Sequence, residues 1–242
     1  MEDKGIRINK YLAECGICSR RNADELIDKG LVTVNGKPAV NGMKIYPEME
    51  IYVKGQKVKG IEDKVYLAFN KPKGIVCTAE KMEENNVIDY LNYPVRITYS
   101  GRLDKDSEGL LIMTNDGDLI DAMMRSRNEH EKEYIVTVNR TITDADLYKM
   151  SKGVYLWDLK VTTKSCKIKR ISDNSFSIIL TQGLNRQIRR MLRTFDYHVK
   201  KLVRVRVMNI ELGELETGKY RELKADEINR LFKMCNIDKN DN

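Results

Sequence analysis

The spacing of apolar side chains predicts two kinds of element in two stretches of the chain. In IRINKYLAECG, Ile8, Leu12 and Ala13 recur at helical spacing and Gly16 ends the run. In SRRNADELIDKG, Ser19 is placed to cap a helix whose stripe is Ala23, Leu26 and Ile27, with Gly30 as its stop. LVTV (31–34) is β-branched, Asn35-Gly36 predicts a tight hairpin turn, and IYV (51–53) predicts a strand that closes the unit. GQKVKGIEDK (55–64) is polar and rich in Gly and Lys, and predicts a linker.

From Val65 the pattern changes. Strands are expected over 65–71, 96–101, 110–115, 133–138 and 175–182. Helices are expected over 142–153, capped by Thr143, and over 184–195. This irregular order is not βαβ alternation. It points to an α+β fold with a mixed, mainly antiparallel sheet, and to a small domain at 1–60 followed by a larger one at 61–242. The terminal DKNDN is expected to fray, and the single tryptophan, Trp157, is expected in the core.

Charge adds a partner to this picture. The chain of 242 residues carries 43 Lys and Arg against 36 Asp and Glu, a net charge of +7. Between Gly183 and Arg206 lie Arg186, Arg189, Arg190, Arg193, Lys200, Lys201, Arg204 and Arg206 against one acid, Asp196. That window alone carries the whole excess, and the remaining charges cancel. A local concentration of this kind is the footprint expected for a phosphate backbone. A second basic group, Lys10, Arg20, Arg21 and Lys37, surrounds the two predicted N-terminal helices and the Asn-Gly turn. Cations in the first turn of a helix oppose its dipole, so Arg20 and Arg21 are better explained by an external anion.

No apolar run is long enough to span a membrane, and the N-terminus lacks the apolar segment of a secretory signal. The five cysteines are scattered and odd in number, which points to free thiols in a reducing cytoplasm. Cys15 and Cys18 form a lone CxxC without the second pair or nearby histidines of a metal site, and two small thiols buried between helices are expected there.

GRLDKDSEGLLIMTNDGDL (101–119) carries the strongest chemical signal. Gly101 and Gly109 bracket a polar loop with apolar strands on both sides, and the loop holds three acids, Asp104, Asp106 and Glu108. An aspartate in a turn is ordinarily a local cap. A glycosidase-like pair of carboxylates is disfavoured, because all three acids sit in one short turn.

Five segments raise a resemblance. RINKYLAECGICSRRNADELIDKGLVTVNGKP resembles the alpha-L RNA-binding module of a small-subunit ribosomal protein and of several RNA-modifying enzymes. Arg102-Leu-Asp104 with Ser107 and Gly109-Leu-Leu resembles the catalytic motif of the pseudouridine synthases that modify ribosomal RNA. Lys132-Glu-Tyr134 and Gly183-Leu-Asn-Arg-Gln-Ile-Arg-Arg-Met191 follow in that family's order, with NKPKG (70–74) upstream. The resemblance spans roughly residues 6–235 and is nearest the large-subunit synthase F branch.

That resemblance implies an isomerase that needs no cofactor and no metal and acts on a stem-loop of large-subunit ribosomal RNA as a monomer. It implies Asp104 as the essential carboxylate, Arg189 as its ion-pair partner and Tyr134 as the aromatic that stacks on a flipped-out uracil. Arg102 is implied to help displace the base, and Asn185, Arg186, Arg190, Arg193 and Lys201 to meet RNA. A guanidinium suits the partner role because burial disfavours an ionised carboxylate unless a fixed cation compensates. Outside the motif context, Tyr134 would serve equally as core and Arg189 and Arg190 as phosphate contacts. A non-catalytic RNA-binding or assembly protein, and a hydrolase of glycosidic bonds, are the alternative readings.

Overall fold

The computed structural model describes residues 5–125 and 129–237, so the expected fraying of 238–242 lies outside the described residues. The chain divides into two compact units. The first runs through residue 65 and includes 93–97 and 115–117; the second comprises the remainder.

In the first unit, helix Ile8–Glu14 buries Ile8 and Leu12, and helix Arg20–Asp28 buries Ala23 and Ile27. Ser19 caps the second helix by accepting a hydrogen bond from the Asn22 amide, as its sequence predicts. Asn9 donates from its side chain to both carboxylate oxygens of Asp24, tying one helix to the other. Four antiparallel strands run in the order Lys37–Pro38, Val32–Val34, Ile51–Val53 and Gln56–Lys57. Asn35 and Gly36 both have positive φ, 49° and 76°, which is what a two-residue hairpin turn requires.

Two expectations here are corrected. The linker at 55–64 does not begin at Gly55, because Gln56 and Lys57 form a strand that pairs with Tyr52 and Val53. The polar composition concealed an edge strand, which needs only backbone partners and no apolar face. Cys15 is buried as expected, whereas Cys18 is only partly buried.

In the second unit, seven strands run along one sheet in the order Lys167–Ser172, Ser175–Leu180, Lys132–Val138, Val199–Val207, Glu108–Thr114, Tyr66–Lys71 and Tyr220–Glu222. Thr98–Ser100 and Ile210–Glu211 pair onto it from the side. Every pairing is antiparallel except one, where Val203 and Arg204 lie beside Glu108 and Gly109 in parallel. That join divides the apolar interior in two. On one side, Val136, Phe176 and Ile178 pack with Leu147 and Met150 of helix Asp144–Ser151 and with Ile188, Met191 and Leu192 of helix Gln187–Arg193. On the other, Ala68, Leu110 and Ile112 pack with Leu119 of helix Gly117–Met124 and with Leu231 and Phe232 of helix Ala225–Met234.

Gly109 marks the join. Its φ is 104°, and a Cβ there would lie 2.3 Å from the backbone oxygen of Arg204, so only glycine permits the two strands to meet. Trp157 corrects the sequence reading: it is 79% exposed, beyond the end of strand Tyr155–Leu156. Among the described residues no helix is long and apolar enough to cross a membrane.

Candidate active site

The acidic loop opens where the sheet changes from antiparallel to parallel pairing. Strand Thr98–Ser100 leads into it and strand Glu108–Thr114 leaves it, and the Ser107 amide donates back to the Asp104 carbonyl across a 3.0 Å turn. The preceding turn braces the loop from below. The Gly74 amide donates to the Lys105 carbonyl at 2.8 Å, and the Leu103 amide donates to Cys77 Sγ at 3.4 Å. The turn is itself held by Lys71, whose fully buried ammonium donates to the carbonyls of Pro72 and Ile75, each at 2.8 Å. Burial lowers the pKa of Lys71, opposed by the negative field of Cys77, Glu108 and Asp104.

Asp104 projects from this loop with its side chain 31% exposed. It is thus half-buried at a cleft. Two guanidiniums face it. Arg186 Nη1 lies 3.8 Å from Asp104 Oδ2, and Arg189 Nε lies 4.0 Å from the same oxygen. The two cations differ in setting. Arg186 is exposed and also lies 4.0 Å from Asp106. The side chain of Arg189 is only 14% exposed, and its Nη2 donates to the Asp106 carbonyl at 3.0 Å and to Ser107 Oγ at 3.4 Å. Those bonds hold the guanidinium while its buried Nε has no hydrogen-bond partner within the protein. Burial, then repulsion from Arg186, lowers the pKa of Arg189, and Asp104 and Asp106 counter that.

The local fold explains how Arg186 and Arg189 reach the loop. The helix expected over 184–195 is observed only over Gln187–Arg193, because Arg186 adopts a left-handed conformation with φ 50° and ψ 36°. Gln187 is buried and accepts from the Leu184 amide at 3.1 Å, locking the turn ahead of the helix. Arg190 holds that turn from outside, donating through Nε to the Asn185 carbonyl at 2.8 Å and through Nη2 to Asn185 Oδ1 at 3.1 Å. Arg190 also forms an ion pair with Asp158. Its fork is therefore occupied by the protein, whereas Arg193 is exposed and Lys201 keeps an exposed ammonium 3.9 Å from Glu108.

A cleft of about 530 Å³ gathers these groups: Asp104, Tyr134, Lys132, Asn185, Arg186 and Arg189 all line it. That volume falls in the range of ordinary ligand pockets. Tyr134 is half-buried on strand Lys132–Val138, opposite Ile178 on one side and Arg204 on the other. The pairing shifts register between Glu133 and Tyr134, where the neighbouring strand Val199–Val207 carries the extra residue, Val205. Arg102 is exposed, two residues before Asp104.

Sequence reasoning brought Asp104, Tyr134, Arg186 and Arg189 to one cleft and did not single out Lys132, Lys71 or Arg204. Lys132 lies on the cleft wall with its pKa lowered by burial and by Arg204. Arg204 is buried inside the sheet and donates from Nε to the Leu110 carbonyl at 2.7 Å. Arg206 is spent on Glu131 and Glu133. The concentrated charge of residues 183–206 is thus partly internal. In the first unit, Lys10 lies 3.8 Å from Glu14, while Arg21 and Lys37 are exposed. No cluster of three or more His, Cys, Asp or Glu side chains suited to a metal ion occurs among the described residues.

Comparison with known proteins fits this arrangement. The profile of the RNA pseudouridylate synthase family matches residues 65–194, and that of the S4 domain matches residues 6–51. The chain is 47% identical over 236 residues to the dual-specificity RNA pseudouridine synthase RluF of Escherichia coli K12, covering 97% of this chain and 81% of that protein. It is 34% identical to the ribosomal large subunit pseudouridine synthase B of Bacillus subtilis, covering 97% and 98% of the two chains. A crystal structure of a pseudouridylate synthase superposes with a TM-score of 0.68 at 29% identity, covering 93% of this chain and 99% of that one.

Proposed function

The chain belongs to the RNA pseudouridylate synthase family and is an RNA pseudouridine synthase, and from that premise we propose that it converts specific uridines of large-subunit ribosomal RNA to pseudouridine with Asp104 as its essential carboxylate. The reaction breaks the bond between uracil N1 and the ribose carbon, turns the base and joins that carbon to C5. The hydrogen leaves C5 for water as N1 gains one, so the isomerisation is balanced without a redox partner.

The observation that carries this reading is the pairing of an Asp104 carboxylate on a 530 Å³ cleft with a buried Arg189 whose Nε, 4.0 Å away, has no other partner. A fixed guanidinium offsets the negative charge of the carboxylate while a nucleobase displaces water from the cleft. Tyr134 offers a flat ring to a base that has left its stack, the usual means by which enzymes reach a nucleotide inside a duplex. Arg102 is suited to displacing that base, and Arg186 and Asn185 to holding the nucleotides beside it.

The exposed Arg193 and Lys201 suit phosphate contacts. Lys10, Arg20, Arg21 and Lys37 give the S4 unit the charge for a stem-loop. The name of the Bacillus subtilis relative supports the large subunit as the source of that RNA. Five free cysteines support action in the reducing cytoplasm.

Mapping pseudouridines in ribosomal RNA from cells with and without the gene tests the substrate directly. The reading expects one or a few large-subunit positions to revert to uridine on deletion. Loss confined to small-subunit RNA would overturn it.

A further inference from the structure

A short hairpin in the second unit displays aromatic rings to solvent. Strands Tyr155–Leu156 and Val161–Thr162 form it, and it is anchored inward by Leu156, which is buried in the core, and by Leu159, which packs against it. The neck is closed by backbone and side-chain bonds: the Thr163 amide donates to the Val154 carbonyl at 2.9 Å, and the Val154 amide donates to Thr163 Oγ1 at 3.0 Å. Tyr155 and Trp157 alternate with Leu156 and so face the other way. Their rings meet edge to face at 4.7 Å, yet Trp157 stays 79% exposed and Tyr155 41%. A tryptophan held in water on an anchored hairpin, beside the buried Leu156, is a feature expected of a binding surface.

The hairpin is coupled to the cleft. Asp158, next to Trp157, pairs with Arg190, and Arg190 in turn grips Asn185, which lines the cleft. This tether links the hairpin, through Arg190, to a residue that lines the candidate active site. Its electrostatics suit a polyanion: Asp158 is paired with Arg190, and two exposed lysines flank it in sequence, Lys152 ahead of the hairpin and Lys160 in its turn.

Resting on the proposed function, we propose that Tyr155 and Trp157 form a stacking platform for an unpaired nucleobase of the RNA, next to the nucleotide that enters the cleft. The target uridine cannot leave its stack without disturbing its neighbours, and a ring at the rim gives an adjacent base a surface to replace the one it loses. Stacking of this kind tolerates any base, so the platform adds affinity and not sequence choice.

Trp157 is the only tryptophan, so the intrinsic fluorescence of the full-length chain reports on it alone. Titration with protein-free, unmodified large-subunit ribosomal RNA is expected to quench that emission to saturation and to release it as salt is raised. Trp157→Ala should weaken RNA binding roughly tenfold and raise KM more than it lowers kcat, whereas Trp157→Phe should retain most of the affinity. Trp157 is exposed, so these variants leave the core intact.

Emission unchanged at saturating RNA, or Trp157→Ala binding as tightly as the original, would overturn the proposal. So would quenching only when ribosomal proteins are present, since that would assign the hairpin to a protein partner. Pseudouridine measured in the same samples separates the two readings. Product without quenching removes the platform and spares the enzyme, and quenching without product does the reverse.

Discussion

At the scale of single residues, the proposed chemistry depends on Asp104 and on how Arg189 is held. Arg189 is fixed by the Asp106 carbonyl and Ser107, leaving Nε free toward the carboxylate. Replacing it with Lys keeps the charge and loses the planar fork. Arg189→Lys should therefore lower kcat by roughly 100-fold while RNA affinity changes only a few-fold, an effect of about 2.7 kcal/mol on the barrier. Equal losses in kcat and in RNA affinity would make Arg189 a phosphate contact instead. The shared cleft of Asp104, Tyr134 and Arg189 was legible because each sits in a recognisable string of residues. Lys71 and Arg204 were not, since a cation inside a strand looks like a solvent-facing position until the chain beyond it is seen to cover it.

Among the elements, the parallel join and the C-terminal helix make the sharpest predictions. Gly109→Ala must both hold a φ of 104° and place a methyl against the Arg204 backbone. The variant should lose about 3 kcal/mol or more of stability, read as a fall of roughly 6–12 °C in Tm. Retention of the original Tm would mean the strands can part at little cost.

The C-terminal helix is clipped to strand Tyr220–Glu222 by Arg221, which donates to both carboxylate oxygens of Glu227 at 2.8 Å. Glu227 also accepts from the Lys224 amide. These bonds, the first from Arg221, hold its pKa below the ordinary carboxylate value. A carboxylate with a depressed folded pKa stabilises the fold above its unfolded pKa of about 4.3 and loses that contribution as pH falls through the folded value. Glu227→Gln should therefore cost about 1 kcal/mol at neutral pH and flatten the loss of stability below about pH 4. Denaturant melts of both proteins across acid pH measure this, and parallel pH profiles would remove the clip from the account.

Several element boundaries were legible as well. Ser19 and Thr143 cap helices as their sequences predict. The helix around Arg189 was read too long because left-handed Arg186 carries no local signal of the kind a glycine would. The strand at Gln56–Lys57 was missed because an edge pairing depends on its neighbour and not on its own polarity.

At the scale of the whole molecule, the α+β class and mainly antiparallel sheet followed from the irregular order of strands and helices. The single parallel contact did not, because the residues that meet there are far apart in sequence and only Gly109 hints at a close approach. The charge of residues 183–206 was legible in amount and not in use: Arg204 lies inside the sheet, and Arg190 and Arg206 are occupied by acids. Arg193 and Lys201 remain exposed. Arg193→Ala or Lys201→Ala should weaken binding to ribosomal RNA and reduce the slope of log affinity against log salt by about 0.7–0.9 each, with unchanged Tm. An unaltered slope between roughly 50 and 300 mM salt would mean that neither the helix of Arg193 nor the strand of Lys201 faces RNA.

The most direct measurement is release of tritium from unmodified large-subunit ribosomal RNA labelled at uracil C5, since forming the new bond to carbon must expel that atom. The original chain should release it to water in step with pseudouridine formation. Asp104→Asn, folded and still binding RNA, should be slower by at least about 100-fold. Release by Asp104→Asn at the original rate, or free uracil in place of tritiated water, would contradict the account.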